Sequence, residues 1–125
     1  MKEIELEMVK LIHQLLAEQT GGSIGVRDEN LLESAIKNVN QTFDGKELYP
    51  TKEEKGARLG FNLVANPAFI DGNKRMGMHI MILFLENNGV YTDYTQKELV
   101  ELGLGIAKGK IDYQQILEWI HRHKK

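Results

Sequence analysis

Gly72-Asn73-Lys74-Arg75-Met76-Gly77-Met78-His79-Ile80-Met81-Ile82-Leu83-Phe84-Leu85-Glu86-Asn87-Asn88-Gly89 is the stretch on which the fold of this chain turns. From Met76 to Leu85 it is apolar on nearly every side, with no proline. A helix of that kind has no solvent face to offer, so it must run through the middle of a domain. Its start is expected about Gly72. Its end is expected at Asn87-Asn88-Gly89, where Gly89 can take the left-handed conformation that closes a helix. The apolar run from Ile80 to Leu85 is far shorter than the ~20 residues that span a bilayer. It predicts a core helix and no membrane segment.

Working outward, the remaining chain supplies helices to surround this one. Ile4, Met8, Leu11, Ile12, Leu15 and Leu16 recur at helical spacing until Gly21-Gly22, which predicts a first helix and its apolar face. Asp28 is placed to cap a second, with inner face Leu31, Leu32, Ala35, Ile36 and Val39. Residues 41–50, Gln-Thr-Phe-Asp-Gly-Lys-Glu-Leu-Tyr-Pro, lack helical periodicity and contain Asp44-Gly45, a tight-turn dipeptide. A short hairpin is expected there. Thr51 with Glu54, Thr95 with Glu98, and Asp112 with Gln115 each carry the reciprocal capping pattern that opens a helix. The first of these helices runs through Leu59, Leu63 and Val64 to Asn66-Pro67, and the last carries Trp119. The expectation is an all-α fold: one compact six-helix domain spanning residues 1–125, with a short hairpin-like flap before the third helix.

Composition bounds the rest. The 125 residues are 42% hydrophobic and 27% charged with a formal net charge of −2, as in ordinary globular domains. No basic excess points to nucleic acid. Without cysteine there is neither a disulfide framework nor a thiolate metal site. Met1-Lys2-Glu3-Ile4-Glu5 has no apolar signal segment, so a cytoplasmic location is expected.

The chemistry concentrates just before the central helix. The first turn of a helix leaves backbone N–H groups without partners and carries partial positive charge, which stabilises an anion. Gly72 lets the chain approach a phosphate without a Cβ in the way. Asn73 offers a neutral donor. Lys74 and Arg75 add charge, Arg75 with the planar fork that matches phosphate oxygens. Asp71 suits Mg²⁺, which is usually bound through one or two carboxylates plus substrate phosphates. Asp-Gly-Asn is equally a common capping turn, and Lys-Arg often only a solvated face.

In order, Phe69, Asp71, Gly72, Asn73, Lys74 and Arg75 resemble the motif of the Fic/Doc family: His-x-Phe-x-Asp/Glu-Gly/Ala-Asn, then Gly in most Fic enzymes or Lys in Doc proteins, then Arg. Gly21-Gly22 with Gly25-Val26-Arg27-Asp28, Leu31 to Ile36, and Phe84 to Gly89 are similar to Doc-type segments at comparable spacings. The resemblance covers nearly the whole chain and favours the Doc (death-on-curing) branch, the toxin half of a toxin–antitoxin pair. It implies an all-α domain that transfers part of a nucleotide triphosphate to a protein hydroxyl. In Fic enzymes that part is AMP; in Doc it is the γ-phosphate of ATP, delivered to a threonine of the translation factor elongation factor Tu. By the same resemblance Asp71 binds Mg²⁺, Gly72, Asn73, Lys74 and Arg75 hold phosphates, and residues 41–50 form a flap that aligns the target. Lys74, and Met78 at the place of a second family Arg, favour phosphate over AMP transfer. No Ser/Thr-x-x-x-Glu-Gly/Asn inhibitory motif occurs, so an antitoxin is expected in trans.

One position departs from the pattern. The family base stands two residues before the motif phenylalanine, and here that residue is Pro67. Proline has no side-chain proton acceptor, and it pushes Asn66 out of the helical region. General-base assistance contributes ~10²–10⁴-fold, so this chain is expected to have little or no transferase activity. His79 reads as a hydrogen-bonded core residue, His13 as structural, and His121 and His123 as part of a solvated tail. A degenerate module that binds a partner protein or nucleotide without turnover is the competing reading, and an AMP transferase a third. A single base change separates a His codon from a Pro codon, so an inactivated copy of an active toxin fits the same residues.

Overall fold

In the computed structural model, which describes residues 1–125, six helices enclose a core in the order α1 (Leu6–Thr20), α2 (Glu29–Lys37), α3 (Lys52–Ala65), α4 (Asn73–Asn87), α5 (Gln96–Ala107) and α6 (Tyr113–His123). A 3₁₀ turn at Asn38–Asn40 and a two-stranded hairpin, β1 (Thr42–Phe43) and β2 (Lys46–Glu47), lie between α2 and α3. The all-α expectation holds.

The centre of the domain is α4. Met76, Gly77, Met78, Ile80, Met81, Ile82, Phe84 and Leu85 are all buried, and full burial of one such apolar side chain stabilises by about 1.5–3 kcal/mol. α3 lies along one side of α4, α5 and α1 along others, and α6 packs on the outside of α3. The α3–α4 contact is close because α3 presents glycine: a Cβ on Gly56 would come within 2.7 Å of Leu85, and one on Gly60 within 2.8 Å of Met81.

Helix starts follow the local signals. Asp28 accepts from the Leu31 N–H at 3.0 Å. Both halves of the capping box form at Thr51 with Glu54, at Thr95 with Glu98 and at Asp112 with Gln115. Gly21 closes α1 in the left-handed region, and Gly89 does the same service after α4 at φ 81°. In the hairpin, Thr42 pairs with Glu47 and Phe43 with Lys46, and Asp44 and Gly45 both have positive φ, as a two-residue type I′ turn requires.

Three expectations are corrected. Of the apolar residues read for α1, Ile4, Ile12 and Leu16 pack on the core as expected, but Met8, Leu11 and Leu15 are about half exposed and the most buried positions of the helix are Val9, His13 and Ala17. His13 is the polar member of this buried face and contacts the segment before α4. His79 is exposed on α4, not part of the core. His123 is no solvated tail residue: it stacks on Trp119 with centroids 4.0 Å apart, and its Nε2 lies 2.8 Å from Glu98 Oε2. The chain end is pinned too, with Asp93 N–H donating to His123 O at 2.7 Å and Lys125 N–H to Tyr91 O at 3.0 Å. No helix is long and apolar enough to cross a membrane.

Candidate functional site

Between α3 and α4 the chain turns through Asn66–Gly72, and four separate interactions hold that turn. Pro67 ends α3 because it cannot continue the helical ladder, and its exposed ring offers no polar atom to a ligand. Its carbonyl accepts from the guanidinium of Arg27. Ala68 O accepts from the N–H groups of Arg27 and Asp28 at 2.8 and 3.0 Å, and Val26 and Phe69 form an isolated antiparallel bridge. The segment after α1 thus braces the turn by strand-like pairing.

Asn73 braces it from the other end. Its Oδ1 accepts from Phe69 N–H and its Nδ2 donates to Phe69 O, each at 3.0 Å. That amide, expected on phosphate, closes the motif loop on itself. At most its second N–H remains for a ligand.

His13 of α1 supplies the third hold. It is 3% exposed, its ring lies 3.8 Å from that of Phe69 at an interplanar angle of 12°, and Nε2 is 2.6 Å from Asp71 O. A carbonyl only accepts, so Nε2 carries the proton. Through these two contacts the imidazole ties α1 to the motif turn.

Gly72 is the fourth. At φ 74° and ψ 19° it stands in the left-handed region as the N-cap of α4, where a side chain would be strained. The conformation aims the first turn of α4 outward. No side chain caps that turn, and the N–H groups of Asn73, Lys74 and Arg75 donate to nothing in the protein. α2, α3, α5 and α6 all carry a side-chain cap.

Around these free donors stand the charged residues of the motif. Lys74 and Arg75 are exposed and enter none of the ion pairs of the protein. Arg75 Nη1 donates to Thr20 Oγ1 at 3.1 Å, a contact with no local sequence signal. Asp71 is also exposed; its Oδ1 accepts from Gly72 N–H at 2.8 Å, and Oδ2 is left without a hydrogen-bond partner. α1 and the motif turn meet along a narrow cleft lined in part by His13, Thr20, Asp71 and Arg75. No group of three or more carboxylate or imidazole ligands exists that would cage a metal by itself. Met78 is 3% exposed and packs toward α5, its Cγ within 3.1 Å of where a Cβ on Gly103 would lie, so it takes no part in the site. Phe43 at the hairpin is 75% exposed, and the exposed His79 lies one turn further along α4 than Arg75.

The Fic/DOC family model matches residues 3–85. Among curated proteins, a Toxin Doc of Mycolicibacterium smegmatis is 40% identical over 70 residues, covering 56% of this chain and 54% of that protein. A Protein kinase doc of Escherichia phage P1 is 27% identical over 122 residues, covering 98% of this chain and 95% of that protein. The match thus spans about half the length of the first relative and nearly all of the second.

Proposed function

Since the chain belongs to the Fic/Doc family, we propose that it is a Doc-type toxin of a toxin–antitoxin system, built as a Mg²⁺/ATP-dependent protein kinase and disabled by Pro67. The observation that carries this reading is the uncapped first turn of α4, with three free N–H groups flanked by two cations that no carboxylate neutralises. Such a turn accepts the triphosphate of a nucleotide. The names Toxin Doc and Protein kinase doc borne by its relatives support the toxin and kinase parts.

The residues present fit Mg²⁺ as well. Asp71 Oδ2 has no competing partner, and Mg²⁺ is usually held by one or two carboxylates together with substrate phosphates and water. Bound there, the ion would neutralise phosphate charge. Lys74 and Arg75 would share that work, Arg75 through two parallel N–H bonds. In the transfer, the target hydroxyl oxygen bonds to the γ-phosphorus, the bond to the β,γ-bridging oxygen breaks, ADP leaves, and the hydroxyl proton must go to a base. Pro67 accepts no proton, and the imidazole of His13 is buried against the Phe69 ring with its Nε2–H donating to Asp71 O. Binding without efficient turnover follows. The target on this reading is a translation factor such as elongation factor Tu, the site is cytoplasmic, and an antitoxin acts in trans.

AMP transfer is less well supported, because the residue at the second-arginine position, Met78, is buried. A degenerate module that binds a partner without chemistry is favoured by one observation, the exposed Pro67 ring at the place of the base. Labelled ATP separates the readings. With γ-label, Pro67→His is expected to phosphorylate elongation factor Tu about 10²–10⁴-fold faster than the unmodified chain and to arrest growth when expressed without antitoxin. Neither effect in Pro67→His would leave the binding-module reading standing. Transfer of an α-label would instead select AMP transfer.

A further inference from the structure

Thr20 touches the site without belonging to its motif. Its Oγ1 is the hydrogen-bond acceptor for Arg75 Nη1 at 3.1 Å, and it donates its own proton to Leu16 O at 2.9 Å. We propose that Thr20 is a positioning residue that fixes the Arg75 guanidinium at the mouth of the anion site before a nucleotide arrives. The inference rests on reading the first turn of α4 as a triphosphate site.

The geometry makes the hydroxyl directional. With its proton committed to the carbonyl one turn back, only its lone pairs are left to face outward, and they point at Arg75. The bond to Leu16 O holds the hydroxyl in the rotamer that meets Arg75, and a serine can make the same bond. A back-bond from threonine to the carbonyl four residues earlier is common in helices. That habit explains the bond to Leu16 and leaves the acceptor role toward Arg75 unexplained.

Arg75 gains from such an anchor. It is exposed, joins no ion pair, and has a long side chain whose rotamer freedom would otherwise be lost on binding. The guanidinium has five N–H donors, of which Thr20 takes one. The rest stay available to phosphate oxygens. Gly21 then reverses the chain at φ 72° so that Gly22 comes back beside the motif: a Cβ there would lie 3.2 Å from Asp71 Oδ2 and 3.6 Å from Thr20 Oγ1. The end of α1 therefore forms a wall along both the carboxylate and the partner of the arginine.

Thr20→Val keeps the shape and removes the acceptor, while Thr20→Ser keeps the acceptor. Two measurements are made on each full chain: calorimetry with Mg²⁺ and ATP, and ¹⁵N relaxation of the Arg75 Nε–Hε group without nucleotide. Thr20→Val is expected to bind ATP about fivefold more weakly and to show a more mobile Arg75, with Thr20→Ser matching the unmodified chain in both. An Arg75 equally ordered in Thr20→Val, or Thr20→Ser as impaired as Thr20→Val, overturns the proposal. If the unmodified chain fails to bind ATP at millimolar concentration, the nucleotide reading falls, and the relaxation measurement still decides the role of Thr20.

Discussion

The imidazole of His13 lies on the ring of Phe69, 3.8 Å between centroids and 12° from parallel, while its Nε2–H reaches Asp71 O at 2.6 Å. One buried side chain of α1 thereby holds both the phenylalanine and the aspartate of the motif turn, the aspartate 58 residues further along the chain. Replacing it removes an aromatic stack worth about 0.5–1.5 kcal/mol and a hydrogen bond worth about 1 kcal/mol. His13→Ala is expected to lower unfolding free energy by about 2 kcal/mol and to weaken Mg²⁺-dependent ATP binding. Urea unfolding and calorimetry check both; a loss below about 0.5 kcal/mol would show that the turn holds its shape without α1.

Lys74 and Arg75 are expected to contribute unequally. Arg75 has a planar fork and a fixed partner in Thr20, whereas Lys74 is a flexible point charge. Arg75→Ala should abolish detectable ATP binding, and Lys74→Ala should weaken it by about tenfold. Calorimetry with ATP and Mg²⁺ reads both values. Equal affinities in the two variants would mean that net charge, rather than fork geometry, sets recognition.

The flap hangs on a buried lysine. Lys55 is 3% exposed, and its Nζ donates to Val39 O at 3.1 Å and to Glu47 Oε1 at 2.8 Å. Glu47→Ala leaves that ammonium buried with one neutral acceptor, a loss of about 1–3 kcal/mol. Lys55→Met removes the buried charge together with its need for a partner, so it should be the milder change, and adding it to Glu47→Ala should restore stability. Urea unfolding of the three variants gives the order. Faster amide exchange at Thr42–Glu47 in Glu47→Ala is expected alongside.

Acid should act on the C-terminal end of the domain through Glu98. A hydrogen bond from His123, then the bonds from the Thr95 backbone and hydroxyl, hold its carboxyl down to about 2. A carboxylate whose folded pKa is depressed stabilises the fold above its ordinary range and loses that contribution as pH falls toward the folded value. Thermal unfolding between pH 7 and about pH 2 should therefore fall less steeply for Glu98→Gln than for the unmodified chain. Parallel profiles would place the acid sensitivity elsewhere.

What the chain states locally, it states plainly. Capping boxes at Thr51, Thr95 and Asp112, the cap at Asp28, the left-handed glycines at 21 and 89, and the positive-φ pair Asp44-Gly45 all involve partners within four residues. The apolar run of α4 could only be central. The motif Phe69–Arg75 was visible because its residues are contiguous, and so was the vacancy at Pro67. Tertiary packing decided the rest. On α1 the inward positions are Val9, His13 and Ala17 while Leu11 and Leu15, fully as apolar, stay half exposed, and His13 meets Phe69 and Asp71 there. His79 is exposed between the buried Met78 and Ile80, and His123 on α6 is held by Glu98 on α5. Asn73 closes the loop onto Phe69 once Gly72 has turned the chain, and Thr20 reaches Arg75 across 55 residues. Local hydrogen bonds and periodicity are encoded in neighbouring residues; which helices touch, and which side chains meet there, follows from packing the whole core at once.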